Sequence, residues 1–208
     1  MARYTGPVCR LCRREGVKLF LKGTKCSTDK CAVAKRAFPP GQHGKSRKKV
    51  SNYMLQLREK QKIKRIYGML ERQFKHYFRI AQESKGVTGL MLLELLERRL
   101  DNVIFRMSFS HSRSHARQIV RHGLTYVNGR RVNIPSYTVK VGDEVTIKAG
   151  QETLKRYREI HDSLKDRVPP KWMTIEPDRF ASKIVALPTK EDVGFPVEEQ
   201  MIVELYSK

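Results

Sequence analysis

The stretch that decides the fold is residues 98–147, RRLDNVIFRMSFSHSRSHARQIVRHGLTYVNGRRVNIPSYTVKVGDEVTI. Near its centre, Ser112 can cap a short helix that runs from Arg113 to His122. Gly123 stands directly after this helix, where glycine commonly ends a helix in a left-handed conformation. The pattern therefore predicts a short helix with a defined beginning and end.

This helix has two unlike faces. At about 100° per residue, Arg113, Arg117 and Arg121 fall along one stripe. Ala116 and Val120 lie on an adjacent apolar stripe. We therefore expect the helix to pack on a core through its apolar stripe and to expose the guanidinium groups of all three arginines.

Two tight turns follow the helix. The Asn-Gly pair at 128–129 separates two short alternating runs, and this dipeptide is the strongest short-range signal for a β-hairpin. The Gly-Asp pair at 142–143 marks a second turn before the alternating residues 144–147. We therefore expect a small antiparallel sheet after the helix.

The charge of this stretch indicates its partner. From Arg98 to Lys148 there are ten Arg or Lys against three acidic residues. Such an excess on a small unit of helices and sheet suits a phosphate backbone, so we interpret the stretch as an RNA-binding module. The alternative is that these charges only face water on the surface of an ordinary domain.

The whole chain of 208 residues is strongly basic, with a formal net charge of +22. Residues 1–66 hold nineteen Arg or Lys against three acids, whereas residues 151–208 hold ten against eleven. The basic surface thus belongs to the N-terminal third and the central module, and it indicates a polyanionic partner. The near-neutral C-terminal part suits contact with a basic protein through Glu198, Glu199 and Glu204.

Other partners fit the sequence less well. No apolar run approaches the roughly 18 residues that a membrane-spanning helix needs, and the basic residues are spread over several elements. The N-terminus has no apolar segment of a signal peptide, so we expect a protein of the reducing cytoplasm, where disulfides do not persist. We expect neither a membrane nor a small-molecule substrate as partner.

All four cysteines lie near the N-terminus, in the pattern Cys9-x2-Cys12-x13-Cys26-x4-Cys31. Two close pairs can each bind one side of a tetrahedral ion, so we expect one structural zinc. Four thiolates leave no open position for water or substrate, which argues against zinc catalysis. Disulfides conflict with the missing signal peptide, whereas an iron–sulfur cluster also takes four cysteines and stays open.

Residues 38–49, FPPGQHGKSRKK, predict an irregular connector. Its Gly-Lys-Ser at 44–46 is like the end of a phosphate-binding loop, but Pro39 stands where the first glycine of that motif belongs. We therefore reject nucleotide binding. Gly41 and Gly44 leave room for backbone amides to approach RNA phosphates, and a plain linker is the alternative.

A helical body is predicted over residues 51–97. Ser51 opens a helix that stops near Gly68, and a second helix from Glu71 to Gln82 carries aromatic residues at core spacing. Thr88 is expected to cap a third helix. After the central module, residues 152–164 have helical spacing, and 183–187 and 201–206 are expected to form short strands. Trp172 is expected to anchor packing.

The predicted fold class is therefore α+β. We divide the chain into residues 1–45, a zinc-binding segment with a basic connector, and residues 46–97, the helical body. Residues 98–150 form an inserted RNA-binding module of short helices with a small antiparallel sheet. Residues 151–208 supply a helix and short strands that are expected to pack back on the body.

Several motifs of the chain carry a family resemblance. They are Tyr4, Gly6-Pro7, Cys9-Arg10-Leu11-Cys12-Arg13-Arg14-Glu15-Gly16, Pro39-Pro40-Gly41-Gln42-His43-Gly44, Leu57-Arg58-Glu59-Lys60-Gln61, Gly86-Val87-Thr88-Gly89, Arg99-Leu100-Asp101-Asn102, Ser112-Arg113, Ala116-Arg117-Gln118, His122-Gly123, Val127-Asn128-Gly129 and Ile134-Pro135-Ser136-Tyr137. In this order they resemble the family of the fourth protein of the bacterial small ribosomal subunit. Residues 98–147 are similar to its αL-type RNA-binding module, which also occurs in some pseudouridine synthases, tyrosyl-tRNA synthetases and a heat-shock protein.

The resemblance implies a protein that binds 16S ribosomal RNA directly, at a multi-helix junction in its 5′ domain, and helps to start assembly of the subunit body. It also implies a place in the cytoplasmic ribosome beside the third and fifth small-subunit proteins. That place is near the channel through which messenger RNA enters, where the protein would contribute to translational accuracy. Some relatives lack the cysteines, so zinc would be a feature of one branch.

We expect a non-enzymatic protein, because the zinc ligands leave no catalytic position and no room remains for a separate catalytic domain. The alternatives are a free-standing RNA-binding factor and an RNA-modifying factor that uses the same module. The residues that we expect to contact RNA are Arg3, Arg10, Arg13, Arg14, Lys22, Arg47, Lys48, Lys49, Arg58, Lys62, Arg65, Arg113, Arg117, Arg121, His122, Arg130 and Arg131.

Overall fold

The computed structural model of the chain describes residues 3–46, 49–164 and 167–207. These residues divide into two compact units, one formed by Met1–Met91 with Phe195–Lys208 and the other by Leu92–Gly194. The division into segments at 45, 97 and 150 stays a prediction. Among the described residues, none of the helices has the length and apolar character to cross a membrane.

The described elements confirm an α+β chain. The helices are α1 (Cys9–Glu15), α2 (Ala32–Lys35), α3 (Asn52–Ile66), α4 (Glu71–Glu83), α5 (Thr88–Glu97), α6 (Leu100–Arg106), α7 (Arg113–Arg121), α8 (Gln151–Asp162) and α9 (Glu199–Tyr206). Short 3-10 turns cover Gly23–Cys26, Pro177–Arg179 and Glu191–Val193. The strands are β1 (Thr125–Val127), β2 (Arg130–Arg131), β3 (Glu144–Ile147), β4 (Met173–Glu176) and β5 (Ala181–Ile184).

The first unit is built on α3 and α4, and their predicted positions are confirmed to within a few residues. The Ser51 hydroxyl accepts a hydrogen bond from the Met54 amide at 3.2 Å, so the predicted N-cap of α3 is formed. Phe74, Tyr77 and Phe78 of α4 are buried. These aromatic residues therefore belong to the core, as their spacing predicted.

The expectation of a strand at residues 201–206 is wrong, because α9 covers this segment. Ile202 is fully buried, and the ring of Tyr206 stacks on that of Phe78 with centroids 4.5 Å apart. A short apolar run fits both the periodicity of a strand and that of a helix. Here packing against a helical neighbour decides in favour of the helix. The chain end thus completes the core of the first unit.

Polar contacts also hold α9. Glu71 accepts hydrogen bonds from Lys60 at 2.6 Å, from Lys64 at 2.8 Å and from the Tyr206 hydroxyl at 2.9 Å. Burial alone would raise the pKa of Glu71, but these bonds outweigh it and lower the pKa to about 2. The carboxylate therefore stays charged and ties α9 to α3 and α4.

Gly89 allows a close approach within the first unit. A Cβ atom at this position would lie 2.6 Å from Cγ and 2.8 Å from Cβ of Glu199, at the start of α9. Real Cβ atoms do not tolerate such distances, so glycine is required for this approach. This requirement gives a physical role to one residue of the Gly86–Gly89 motif.

The second unit contains a five-stranded antiparallel sheet with the order β2-β1-β3-β5-β4. The β1–β2 hairpin and β3 lie where the sequence predicts them. β5 pairs with β3 so that Val145 lies opposite Ser182. The sheet therefore extends beyond residue 150 and takes its last two strands from residues 173–184.

One hydrophobic core joins this sheet to α6, α7 and α8. Trp172 is 1% exposed, which confirms its predicted role as a packing anchor. Phe109 is fully buried and packs against Phe180 with ring centroids 5.2 Å apart. The module that the sequence predicts is therefore a solid domain with its own core, and its surface residues have a rigid support.

A buried carboxylate connects α6 to α7. Asp101 accepts two hydrogen bonds from Arg99, at 3.1 and 2.8 Å, and a third from Arg117 at 3.0 Å. The side chain of Arg99 is 0% exposed and that of Asp101 only 6%. Removing one partner from such a group leaves a buried charge uncompensated.

A second buried carboxylate belongs to Glu97, the last residue of α5. Glu97, which is fully buried, accepts from Arg106 at 2.9 and 2.8 Å and from the Asn102 amide at 2.7 Å. The Asn102 oxygen in turn accepts from Arg113 at 2.8 Å. These contacts explain the Arg-Leu-Asp-Asn motif at 99–102 as a structural element of the second unit.

Asp101→Asn should destabilise the protein by about 3–5 kcal/mol. The substitution removes the negative charge that compensates Arg99, while Arg99 stays buried and positively charged. Urea unfolding followed by circular dichroism measures the change. The control is Asp178→Asn, since Asp178 pairs with Arg158 at 3.3 Å but is 97% exposed, and it should leave the free energy of unfolding nearly unchanged. Equal effects of the two substitutions would contradict the role of Asp101.

Candidate nucleic-acid interface

The β1–β2 turn presents the first part of the candidate interface. Asn128 and Gly129 both have positive φ, 49° and 78°, as the predicted tight hairpin requires. The Asn128 amide group donates to Asp143 at 2.8 Å, and its oxygen accepts from the Glu144 backbone at 2.9 Å. The turn is therefore fixed to the start of β3 and holds the following arginines in place.

Four predicted RNA contacts come together beside this turn. Arg121 and His122 end α7, while Arg130 and Arg131 form β2, and all four side chains are exposed. Arg131 donates to the carbonyl of Gly123 at 2.8 Å and to that of His122 at 3.3 Å. We name Arg121, His122, Arg130 and Arg131 the basic rim.

Gly123 makes the approach within the basic rim possible. Its φ is +69°, as expected for a left-handed helix end, and a Cβ atom there would collide with the Arg131 guanidinium group. The guanidinium therefore lies over the last turn of α7, where cations compensate exposed carbonyls. Gly123 thus ends α7 and also leaves room for the guanidinium group of Arg131.

The expectation that Arg117 faces outward is wrong. This residue is 6% exposed and donates to Asp101 at 3.0 Å. Helical periodicity gave its angle on α7 but could not show that a carboxylate sixteen residues earlier lies against that face. Arg117 is therefore not part of the interface that we propose below.

Arg113 is only half exposed, and its guanidinium lies 4.4 Å from the centroid of the Phe105 ring. Arg167 lies 4.5 Å from the same centroid, and burial, followed by the charge of Arg106, lowers its pKa. The cation–π contact with Phe105 compensates these charges in part, whereas burial disfavours them. Sequence analysis missed Arg167, because no local spacing relates it to a ring 62 residues away.

The predicted RNA contacts on α3 are paired with acids. Arg58 and Arg65 both contact Glu15, whose side chain is 1% exposed, and Lys62 pairs with Glu59 at 2.7 Å. Burial raises the pKa of Glu15, although the two arginines oppose this, and burial lowers the pKa of Arg58. Arg58 and Arg65 thus join α3 to α1, and for all three cations less charge is available to a partner.

Most of the other N-terminal candidates are exposed. Arg3, Arg10, Arg14, Lys22 and Lys49 face solvent. Arg47 and Lys48 lie outside the described residues.

Arg13 is engaged within the chain and half-buried. It donates to the carbonyls of Arg36 at 3.2 Å and Phe38 at 3.0 Å. Its guanidinium also lies 4.9 Å from the centroid of the Phe38 ring. Arg13 therefore fixes the connector to α1.

The four cysteines line one small cavity. Cys9 and Cys12 lie on α1, Cys26 ends a 3-10 turn and Cys31 precedes α2. The cavity measures about 10 Å³, and all four thiols are free. Burial raises the pKa of the Cys12 thiol, and the other three cysteines raise it further. The loop therefore brings the four cysteines to the wall of one cavity.

The chemistry of this donor set fits a soft metal ion, and the Lys22 amide already donates to the Cys26 sulfur at 3.4 Å. Backbone donors of this kind stabilise thiolate ligands. In the part of the chain that the structure describes, however, no group of three or more His, Cys, Asp or Glu side chains stands in an arrangement that could hold a metal. The four residues share a cavity without being in ligating positions.

Comparison with known proteins gives matches for both the segment with the cysteines and the segment with the basic rim. A family model described as the ribosomal protein S4/S9 N-terminal domain matches residues 3–97, and one described as the S4 domain matches residues 98–145. The second match covers α7, the hairpin and the basic rim.

Curated relatives match over their whole length. The "Small ribosomal subunit protein uS4" of Halothermothrix orenii is 55% identical over 208 residues, which is 100% of each chain. Those of Acidobacterium capsulatum and Symbiobacterium thermophilum, the latter named uS4A, are 58% and 56% identical, again over 100% of both chains. The chain therefore belongs to the uS4 family of small ribosomal subunit proteins.

Proposed function

We propose that the protein is a structural constituent of the small ribosomal subunit that binds 16S ribosomal RNA directly. The observation that carries this proposal is the end-to-end match to relatives whose names place them in that subunit. From the resemblance, we further propose that it helps to start assembly of the subunit body in the cytoplasmic ribosome. It would also contribute to translational accuracy near the channel for messenger RNA.

The arrangement of charges supports RNA as the partner. The basic rim is exposed on a domain with its own core, so the backbone that carries its cations is in place before RNA arrives, and the Arg131 guanidinium is also fixed by hydrogen bonds. A preorganised guanidinium group loses less conformational entropy when it binds a phosphate. We propose that phosphate contacts and RNA shape dominate binding, that Arg121 and Arg130 are its centre, and that the protein catalyses no reaction.

The alternative is a free-standing RNA-binding or RNA-modifying factor. Sedimentation of a cell extract through a sucrose gradient, with the chain detected in each fraction, separates the two. A ribosomal constituent should occur in one copy per small subunit and remain bound at moderate salt. A chain found mainly at the top of the gradient would contradict the proposal.

Arg121→Gln with Arg130→Gln should weaken binding to a transcript of the 16S 5′ domain by about ten-fold or more. It should also reduce the slope of log affinity against log salt by about 0.7–0.9 for each lost phosphate contact. Filter binding at several salt concentrations measures both quantities. The matched control is Arg156→Gln with Arg179→Gln, since these arginines are also exposed but pair with Glu152 and Glu176. If both double variants lost affinity equally, the rim would have no special role.

We also propose that Cys9, Cys12, Cys26 and Cys31 hold one structural zinc ion, with an iron–sulfur cluster as the alternative. Their gathering around one cavity supports this proposal. A four-thiolate zinc would cross-link α1 to α2 and would leave no position for catalysis. Because the loop has few apolar residues, its order would depend on the metal.

Cys9→Ser with Cys12→Ser should abolish metal binding, loosen roughly residues 1–45 and weaken RNA binding, while the second unit keeps its fold. Metal analysis of the purified protein should find about one equivalent of zinc in the wild type. Limited proteolysis should then show protection of the N-terminus only in the wild type. A metal-free wild type with an equally protected N-terminus would refute the proposal, and iron with sulfide would favour the cluster.

For protein contacts, the resemblance suggests the third and fifth small-subunit proteins. Of the three acids predicted to make such a contact, Glu204 accepts a hydrogen bond from Gln56 at 2.8 Å, and Glu199 packs against Gly89. The Glu198 side chain is exposed, although its backbone amide donates to Glu59 at 3.0 Å. We therefore propose Glu198 as the acid that faces a basic neighbour.

A further inference from the structure

Phe20 has an unusual backbone for its side chain. It follows the buried Leu19 in the loop between the two cysteine pairs, and its φ is +51°. Left-handed φ values are costly for residues with a Cβ atom, and for a bulky aromatic residue they are uncommon. The conformation turns Leu19 inward and leaves Phe20 51% exposed. Phe20 is therefore not a residue of the buried core.

Phe180 provides the internal comparison. It has the same φ of +51°, but it is 9% exposed, and its ring lies 5.2 Å from that of Phe109. Burial of that ring offsets the strain of its backbone. For Phe20, no ring or cation partner is present among the described residues, and half of its surface faces solvent. Among the described residues, therefore, no ring or cation contact offsets the strain at Phe20 in the way that Phe109 does at Phe180.

The surroundings of Phe20 are basic. Lys18 and Lys22 stand two residues before and after it, Lys25 follows, and all three are exposed. The nearest acid before Phe20, Glu15, is paired with two arginines, so it does not compensate these lysines. An exposed aromatic ring flanked by cations is the combination that binds single-stranded nucleic acid, in which bases stack and phosphates pair with lysines.

We propose that Phe20 is a stacking platform for one unpaired base of RNA, and that Lys18 and Lys22 contact the phosphates on either side of that base. This inference rests on the proposed function, because it assigns a base contact to a protein that otherwise binds phosphates. It adds a candidate site in the first unit, whereas the basic rim belongs to the second. A protein partner that received the Phe20 ring in an apolar pocket would not explain the flanking lysines. RNA therefore fits the site better.

The test uses full-length protein and a transcript of the 16S 5′ domain. Phe20→Leu keeps an apolar side chain and the backbone strain but removes the aromatic face, so affinity should fall about ten-fold. The slope of log affinity against log salt should not change, because no charge is removed. Phe20→Trp should retain affinity, and its fluorescence should be quenched when the transcript binds. Wild-type protein controls for Trp172, which is buried and should show no quenching.

Specific outcomes would overturn the proposal. Wild-type affinity in Phe20→Leu, or a Phe20→Trp signal that does not respond to the transcript, would show that no base stacks there. A defect of Phe20→Leu that appears only in assembled subunits, and not with the transcript, would assign the ring to a protein neighbour and refute the RNA contact. If the wild type itself failed to bind the transcript, the proposed function would fail before this inference was reached.

Discussion

The carboxylate of Asp101 compensates two arginines that would otherwise be unable to stay buried. Arg99 enters from the residue before α6 and Arg117 from the middle of α7, so one acid sets the distance between the two helices. Burying a charged network contributes little net free energy compared with an apolar core, but it penalises every arrangement in which the partners fail to meet. The apolar stripe of α7 and the β1–β2 hairpin take their positions from this fixed pair of helices.

Local patterns predicted the elements of the structure well. Ser112, Gly123 and the Asn-Gly turn act through backbone conformation or through atoms a few residues away, so sequence alone located α7 and its hairpin. The helical state of residues 201–206 depends on a core that lies far away in the chain. For this reason the period of a short apolar run could not decide between strand and helix.

Long-range pairing limited the prediction of the site in the same way. A net charge of +22 predicts a polyanionic partner, but it does not say which cations are available to it. Arg117, Arg58 and Arg65 each find an acid that is distant in sequence, whereas the basic rim stays exposed. Basic residues in this chain therefore serve two purposes, and only tertiary contacts separate the cations that hold the fold from those that can face RNA.

The position of α9 has a consequence for how the chain is made. Residues 195–208 complete a unit whose other residues end at position 91, so a ribosome must synthesise the whole second unit before the first can close. Contacts between distant segments form late and slow the approach to the native state. The second unit, which is continuous in sequence, can fold while synthesis proceeds. The hairpin with the basic rim can thus take its final form before the N-terminal unit is finished, so the two units mature in a fixed order.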